Sequence, residues 1–129
     1  MSRGVLVDSH VLLWAMRGSS RLGKRAIRTL EQPHVHYSPL SLAELRLKAQ
    51  KKNLATSEDL PEALSQAGFR EVPVTSHAAW AVSRFTQLLR HDPFDLLLLS
   101  QAMTEDLDFL TADMVLLGLN LPLVKDATV

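Results

Sequence analysis

The 129-residue chain has no cysteine. That absence excludes a disulfide scaffold, a thiolate zinc site and a cysteine nucleophile, and it fits a reducing compartment. The N-terminal stretch Met1-Ser2-Arg3-Gly4-Val5-Leu6-Val7-Asp8 lacks the apolar centre of a signal peptide. The leucine run Leu96–Leu99 is much too short to span a bilayer. Together these absences predict a soluble cytoplasmic protein with no membrane association. Glycine is scarce, and no P-loop or Gly-rich dinucleotide turn is present, which argues against nucleotide binding. There is no G-x-S-x-G elbow, no internal repeat, no low-complexity tract and no linker.

What is present suits one folded domain over residues 1–129. The apolar fraction of 47% is that of a globular chain, and the length is enough to bury a core. Net charge is zero but unevenly spread. Residues 1–52 hold ten Lys/Arg against three acids, whereas residues 53–129 hold four against eleven. A basic half attracts phosphate backbones, although solvated helix faces commonly carry such charge too.

One stretch organises the rest: His91-Asp92-Pro93-Phe94-Asp95, followed by Leu96 to Ala102. Asp92 suits an N-cap, Pro93 the first helical position and Asp95 the N3 position, beside unsatisfied N–H groups. The leucines that follow leave no polar side, so the helix should be buried. Two carboxylates therefore stand at the mouth of a helix sunk in the core.

In chain order, Val5-Leu6-Val7 reads as a buried parallel strand ending in Asp8, with a helix from His10 to Met16 after it. An amphipathic helix follows from Gly23 to Glu31, with Ala26, Ile27 and Leu30 inward. His34 to Ser38 alternates as a strand. His34 and His36 would share a face, but with no third ligand nearby they read as a polar strand face rather than a metal pair. A helix opening at Pro39 or Ser41 carries Glu44 and Lys48 four residues apart. That spacing suits a surface ion pair worth a few tenths of a kcal/mol, yet the leucines around Glu44 also allow it to face a cleft. Ser57 to Ala67 reads as a helix, and Phe69 to Val74 as a strand whose Pro73 suits an edge. A long helix is expected from Thr75 or Ser76 through Trp80, Val82, Phe85 and Leu88-Leu89. After the organising helix, Asp108 to Thr111 reads as a strand, Met114 to Leu117 as a helical turn and Leu121 to Val124 as a last strand.

Alternating strands and helices predict an α/β class fold, a three-layer α/β/α sandwich with a mainly parallel sheet. Sites in such sheets form outside the carboxyl ends of strands, where strand order reverses. Asp8 and Asp113 follow strands, Glu44 lies near the start of a helix that follows one, and Asp95 stands at a helix mouth. All four can converge. Grouped carboxylates repel unless a cation joins them, and oxygen donors suit Mg²⁺ or Mn²⁺. Such a site performs metal-assisted phosphodiester hydrolysis. Each acid also has a purely local reading as a strand end, an ion-pair partner or a cap. Asp8 would equally suit a receiver-like phospho-acceptor, but the lysine expected after a late strand is missing, Lys125 coming only at the tail.

Four segments, Val5-Leu6-Val7-Asp8-Ser9-His10-Val11-Leu12-Leu13-Trp14, Ser41-Leu42-Ala43-Glu44-Leu45-Arg46-Leu47-Lys48, His91-Asp92-Pro93-Phe94-Asp95 and Leu110-Thr111-Ala112-Asp113, resemble the successive motifs of PIN-domain proteins. The resemblance is nearest to VapC-type toxins of bacterial type II toxin–antitoxin systems and covers essentially the whole chain. It implies a PIN-like fold and a Mg²⁺- or Mn²⁺-dependent endoribonuclease, usually a homodimer, that cuts RNA and is inhibited by a small antitoxin protein. Carried over by position, the catalytic and metal-binding residues would be Asp8, Glu44, Asp95 and Asp113. Asp92 would cap beside the site, and Ser9 and Thr111 would orient carboxylates or water. An inactive PIN-like module that binds RNA or protein is the alternative, disfavoured by the retention of all four acids. Arg17, Arg21 and Arg46 are candidate RNA guides, and Trp14, Leu45, Leu47 and Leu54 a candidate apolar groove for a partner, or else ordinary core.

Overall fold

Two apolar faces on each strand decide the architecture. In β1 (Val5–Val7), Val5 and Val7 join one buried cluster while Leu6 joins another. A strand buried on both faces must lie inside a sheet covered on both sides. The computed structural model of the protein describes residues 3–52 and 59–129. In it β1 is the centre of a five-stranded sheet ordered β3-β2-β1-β4-β5, with every pair parallel. The other strands are β2 (Val35–Tyr37), β3 (Arg70–Glu71), β4 (Asp108–Thr111) and β5 (Val124–Asp126). The chain winds outward from β1 to β3 and then crosses back to β4. Strand order therefore reverses between β1 and β4, where their carboxyl ends leave a crevice.

Helices α1 (Ser9–Arg17), α2 (Lys24–Leu30) and α4 (Leu60–Gln66) cover one face through Val11, Leu12, Ala26 and Leu64. On the other, α6 (Pro93–Thr104) packs Leu98, Leu99 and Ala102 against Leu6 and Phe109, and α7 (Met114–Leu117) adds Leu116. The third layer thus completes the expected α/β/α sandwich. Helix α3 (Pro39–Lys51) contacts both α1 and α6, with Leu42 against the first core and Leu40 against the second. Gly18 ends α1 in the left-handed conformation, at φ 62°, that favours glycine at such caps.

Polar groups within the second layer are matched. The Ser38 hydroxyl caps α3 by accepting from Leu40 N–H at 3.1 Å and donates to Gln101 Oε1 at 2.6 Å. Gln101 Nε2 donates in turn to the carbonyls of Val72 and Pro73, both at 3.3 Å. Ser100 donates to the Ala78 carbonyl, tying α6 to α5 (Ser76–Trp80). These bonds hold α6 in register with α3 and with the chain leaving β3, which fixes where its N-terminus, and hence Asp95, stands.

Four expectations fail. The strand expected from Phe69 to Val74 pairs only over Arg70–Glu71, at the edge of the sheet, and Pro73 has no N–H to extend the ladder. The long helix from Thr75 breaks after Trp80 into two 3₁₀ segments, Ala81–Arg84 and Thr86–Leu88, separated at Phe85 with φ −105° and ψ 63°. Val82, Ser83 and Thr86 are weak helix formers, and the 3₁₀ spacing lets Phe85 and Leu88, three apart, both reach the core. The last strand begins at Val124, three residues later than expected, because pairing with Phe109 to Thr111 sets its register and Pro122 cannot donate to a ladder. Ile27 lies on the exposed side of α2, not inward. Ser57, expected to cap α4, and Leu54, expected in the apolar groove, lie outside the described residues; the observed cap is Asp59, which accepts from Glu62 N–H at 3.3 Å.

Candidate active site

Asp8 terminates β1 and caps α1, the residue at which chain direction changes above the sheet. One of its oxygens accepts from Ser9 N–H at 2.7 Å and the other from the Thr111 hydroxyl at 2.6 Å. Thr111 ends the neighbouring β4, and its Oγ1 accepts from Asp113 N–H at 3.0 Å. This relay across the β1/β4 crevice locks Asp8 to the start of α7. The Asp8 side chain is buried, and that burial raises its pKa above the ordinary carboxylate value; the bonds from Thr111 and Ser9 oppose the rise, and the charge of Glu44 adds to it.

Glu44, on α3, is only 3% exposed. Both local readings of it hold at once: Oε2 pairs with Lys48 Nζ at 2.8 Å, and the residue also lies inside the cleft. Its other oxygen is buried with no hydrogen-bond partner among the described residues. A buried carboxylate oxygen without a donor costs on the order of 1–3 kcal/mol, so a position of this kind is suited to a cation. Burial lowers the Lys48 pKa, but Glu44, together with Asp92 and Asp95, outweighs it and leaves the ammonium more firmly protonated than usual.

Asp92 caps α6 by accepting from Phe94 N–H at 2.8 Å, with Pro93 at the first helical position. Asp95, in the first turn, makes no cap bond. Its Oδ2 lies 2.7 Å from His91 Nε2. Burial pushes the Asp95 pKa up to about 7, with Asp8 the next largest cause; the bond to His91 opposes the rise, and Asp113 and Asp92 add to it. Asp113 divides its oxygens. Oδ1 caps α7 by accepting from Val115 and Leu116 N–H at 2.8 and 3.3 Å, and Oδ2 stands 3.4 Å from His91 Nε2.

The structure thus brings all four acids into one electrostatic neighbourhood at the strand-order reversal, each feeling the charge of the next: Glu44 on Asp8, Asp8 on Asp95, Asp113 on Asp95. The model of the PIN domain family matches residues 5–117. The chain belongs to the PIN domain family. It is similar in fold to a toxin–antitoxin complex from Klebsiella pneumoniae, at 16% identity and TM-score 0.66, over 95% of this chain and 96% of that one. It is likewise similar to the crystal structure of VapBC2 from Rickettsia felis bound to a DNA fragment from the promoter, at 13% identity and TM-score 0.68, over 95% and 97% of the two chains. No curated protein matches the chain.

In this PIN domain Glu44, alone of the four acids, lines a groove of about 780 Å³ between α3 and the start of α6. Glu44, His91 and Asp92 line its acidic part, and Lys48, Lys51 and Arg90 its basic part, with Leu47 and Phe94 as apolar surface. Sequence reasoning assigned no role to His91, although its spacing of four from Asp95 was visible; its nearness to Asp113, twenty-two residues on, needed the fold. Trp14 packs against the first core, as the reading of it as core anticipated, and its ring also lies 5.6 Å from the Arg21 guanidinium. Arg17, Arg21 and Arg46 are all exposed. Among the described residues no helix is long and apolar enough to cross a membrane.

Proposed function

We propose that this PIN domain is a Mg²⁺- or Mn²⁺-dependent endoribonuclease of the cytoplasm that acts as a homodimeric VapC-type toxin and is restrained by a small cognate antitoxin. The observations that carry the reading are the mutual electrostatic influence of Asp8, Glu44, Asp95 and Asp113 at the strand-order reversal and a buried Glu44 oxygen that has no partner among the described residues. A bound cation would relieve negative charge that is otherwise met by the raised pKa of Asp95 and by Lys48. Asp8, Glu44, Asp95 and Asp113 would hold the ion, an all-oxygen set of the kind hard cations take. The chemistry such an ion would supply is activation of a bound water and stabilisation of charge on the phosphoryl group.

The chain's own residues account for the rest. Thr111 and the Ser9 N–H fix both oxygens of Asp8, so its carboxylate is aimed before substrate arrives. Lys48 holds Glu44 from the groove side and remains a cation. Lys51 and Arg90 lie within reach of a phosphate backbone running along the groove. The resemblance of the fold to toxin–antitoxin structures supports the toxin role.

Incubation of the chain with RNA and Mn²⁺ tests the activity: cleavage is expected, and its persistence in excess EDTA would sink the assignment. Expression alone is expected to arrest growth, and co-expression of the product of a short adjacent reading frame to relieve the arrest. Guidance by the basic half predicts a second result. RNA affinity should fall steeply as salt rises from 50 to 200 mM on a titration scale of about that range, because each neutralised phosphate releases counterion. Affinity flat across that range removes the phosphate-guiding role.

A further inference from the structure

His91 opens one of the four motifs and has no role assigned above, yet its ring stands against two acids of the cluster. Its backbone N–H donates to the Leu88 carbonyl at 2.9 Å, which pins it one residue before the α6 cap. Its Nε2 faces two carboxylate oxygens at once, Asp95 Oδ2 at 2.7 Å and Asp113 Oδ2 at 3.4 Å, and the three donor atoms all lie within 4.8 Å of one another. Donors at right angles around a cation with bonds of about 2.1 Å stand about 3.0 Å apart. The two separations from His91 bracket that figure, and the third pair lies within 4.8 Å, so the three residues are placed to share one ion. Asp113 has only Oδ2 to offer, Oδ1 being spent on the α7 cap. Glu44, which lines the groove beside His91 but stands outside this three-residue group, keeps a buried oxygen that has no partner among the described residues.

We propose that His91 is a nitrogen donor of the metal site, beside Asp95 and Asp113, and that the site therefore selects a transition ion such as Mn²⁺ over Mg²⁺. The inference rests on the metal-dependent reading above and sharpens it. Mg²⁺ favours oxygen and gives up its waters reluctantly, whereas an imidazole moves preference toward first-row transition ions. Composition alone suggested oxygen donors only; the fold adds a nitrogen.

The test uses the full chain with Mn²⁺ and Mg²⁺ as the only probes. Electron spin-echo spectra of the Mn²⁺-loaded protein are expected to carry modulation from a directly bound imidazole nitrogen. His91→Gln and His91→Phe should remove that modulation and lower Mn²⁺ affinity by about tenfold or more in calorimetry, with a smaller loss for Mg²⁺. Bound Mn²⁺ without nitrogen modulation in the parent overturns the proposal, and that measurement needs no variant to fold. Modulation persisting in both variants overturns it as well. Failure of either ion to bind the parent overturns the metal reading itself, and this proposal with it.

Discussion

Asp8→Asn is expected to abolish RNA cleavage while leaving the protein folded and no less stable. The exchange is nearly isosteric. The asparagine carbonyl oxygen can keep the bond from Ser9 N–H, and the amide NH₂ can donate to Thr111, whose hydroxyl still accepts from Asp113 N–H but gives up Asp8 as the acceptor for its own proton, a cost set against the gains below. What disappears is one negative charge at the centre of the cluster. Loss of a carboxylate donor should remove several kcal/mol of charge stabilisation in the transition state, which is on the order of a thousandfold in rate. In the metal-free protein the same loss relieves repulsion with Asp95 and Glu44. Burial also disfavours the ionised form of Asp8, and a neutral amide escapes that cost. A residue that mattered only structurally would show the opposite pairing, activity falling together with stability. Cleavage rate and urea midpoint, measured on one preparation, separate the two, and full activity in Asp8→Asn would remove Asp8 from the chemistry.

The parts of this site that could be read from the chain are those set by neighbours in sequence. Asp92 as cap and Pro93 as first helical residue are local facts that stand as read, whereas of the leucines behind them Leu98 and Leu99 are buried and Leu96 and Leu97 only half-buried. The strand-to-helix turn at Asp8 is equally local. Glu44 illustrates the limit: its spacing to Lys48 showed the ion pair, but only the packing of α3 between α1 and α6 decides that the pair is half buried in a cleft. Asp113 behaves the same way, capping its own helix with one oxygen and facing His91 with the other. His91 escaped notice because its second partner comes from another element. The misplaced β5 and the broken helix after Trp80 have a related cause. Apolar spacing marks a segment as core-facing, but the register of a parallel strand and the choice between α and 3₁₀ depend on what the segment packs against.

The largest effect on stability is expected from the metal, and Asp95→Asn should diminish it. Burial raises the pKa of Asp95 from its ordinary 3.8, which the unfolded chain keeps, to about 7 in the folded protein. Over that interval the unfolded chain loses its proton while the folded protein keeps it. Stability therefore falls as pH rises from about 4 to 7, and the full penalty stands above that range. Its size is on the order of 2 kcal/mol once solvent screening is allowed for. Asparagine carries no such penalty, so the metal-free variant should lose the pH slope and melt higher than the parent at pH 7.5. The rise is reduced by the loss of an acid in the first turn of α6, about 0.5 kcal/mol. Mn²⁺ binds the folded cluster and hardly the unfolded chain, so at a hundred times its dissociation constant it should stabilise the parent by about 2.7 kcal/mol. At about 4 °C per kcal/mol for a domain of this size, that is a rise of about 10 °C. Asp95→Asn, starting higher, should gain clearly less, because a neutral amide is a poorer ligand and the repulsion the ion relieves is already reduced. Four thermal melts decide the matter, parent and variant each in EDTA and in saturating Mn²⁺. A parent whose melting temperature ignores the metal would mean that the four acids do not act as one site. The cap at Asp113 and the ion pair at Glu44 would then be all that these carboxylates do.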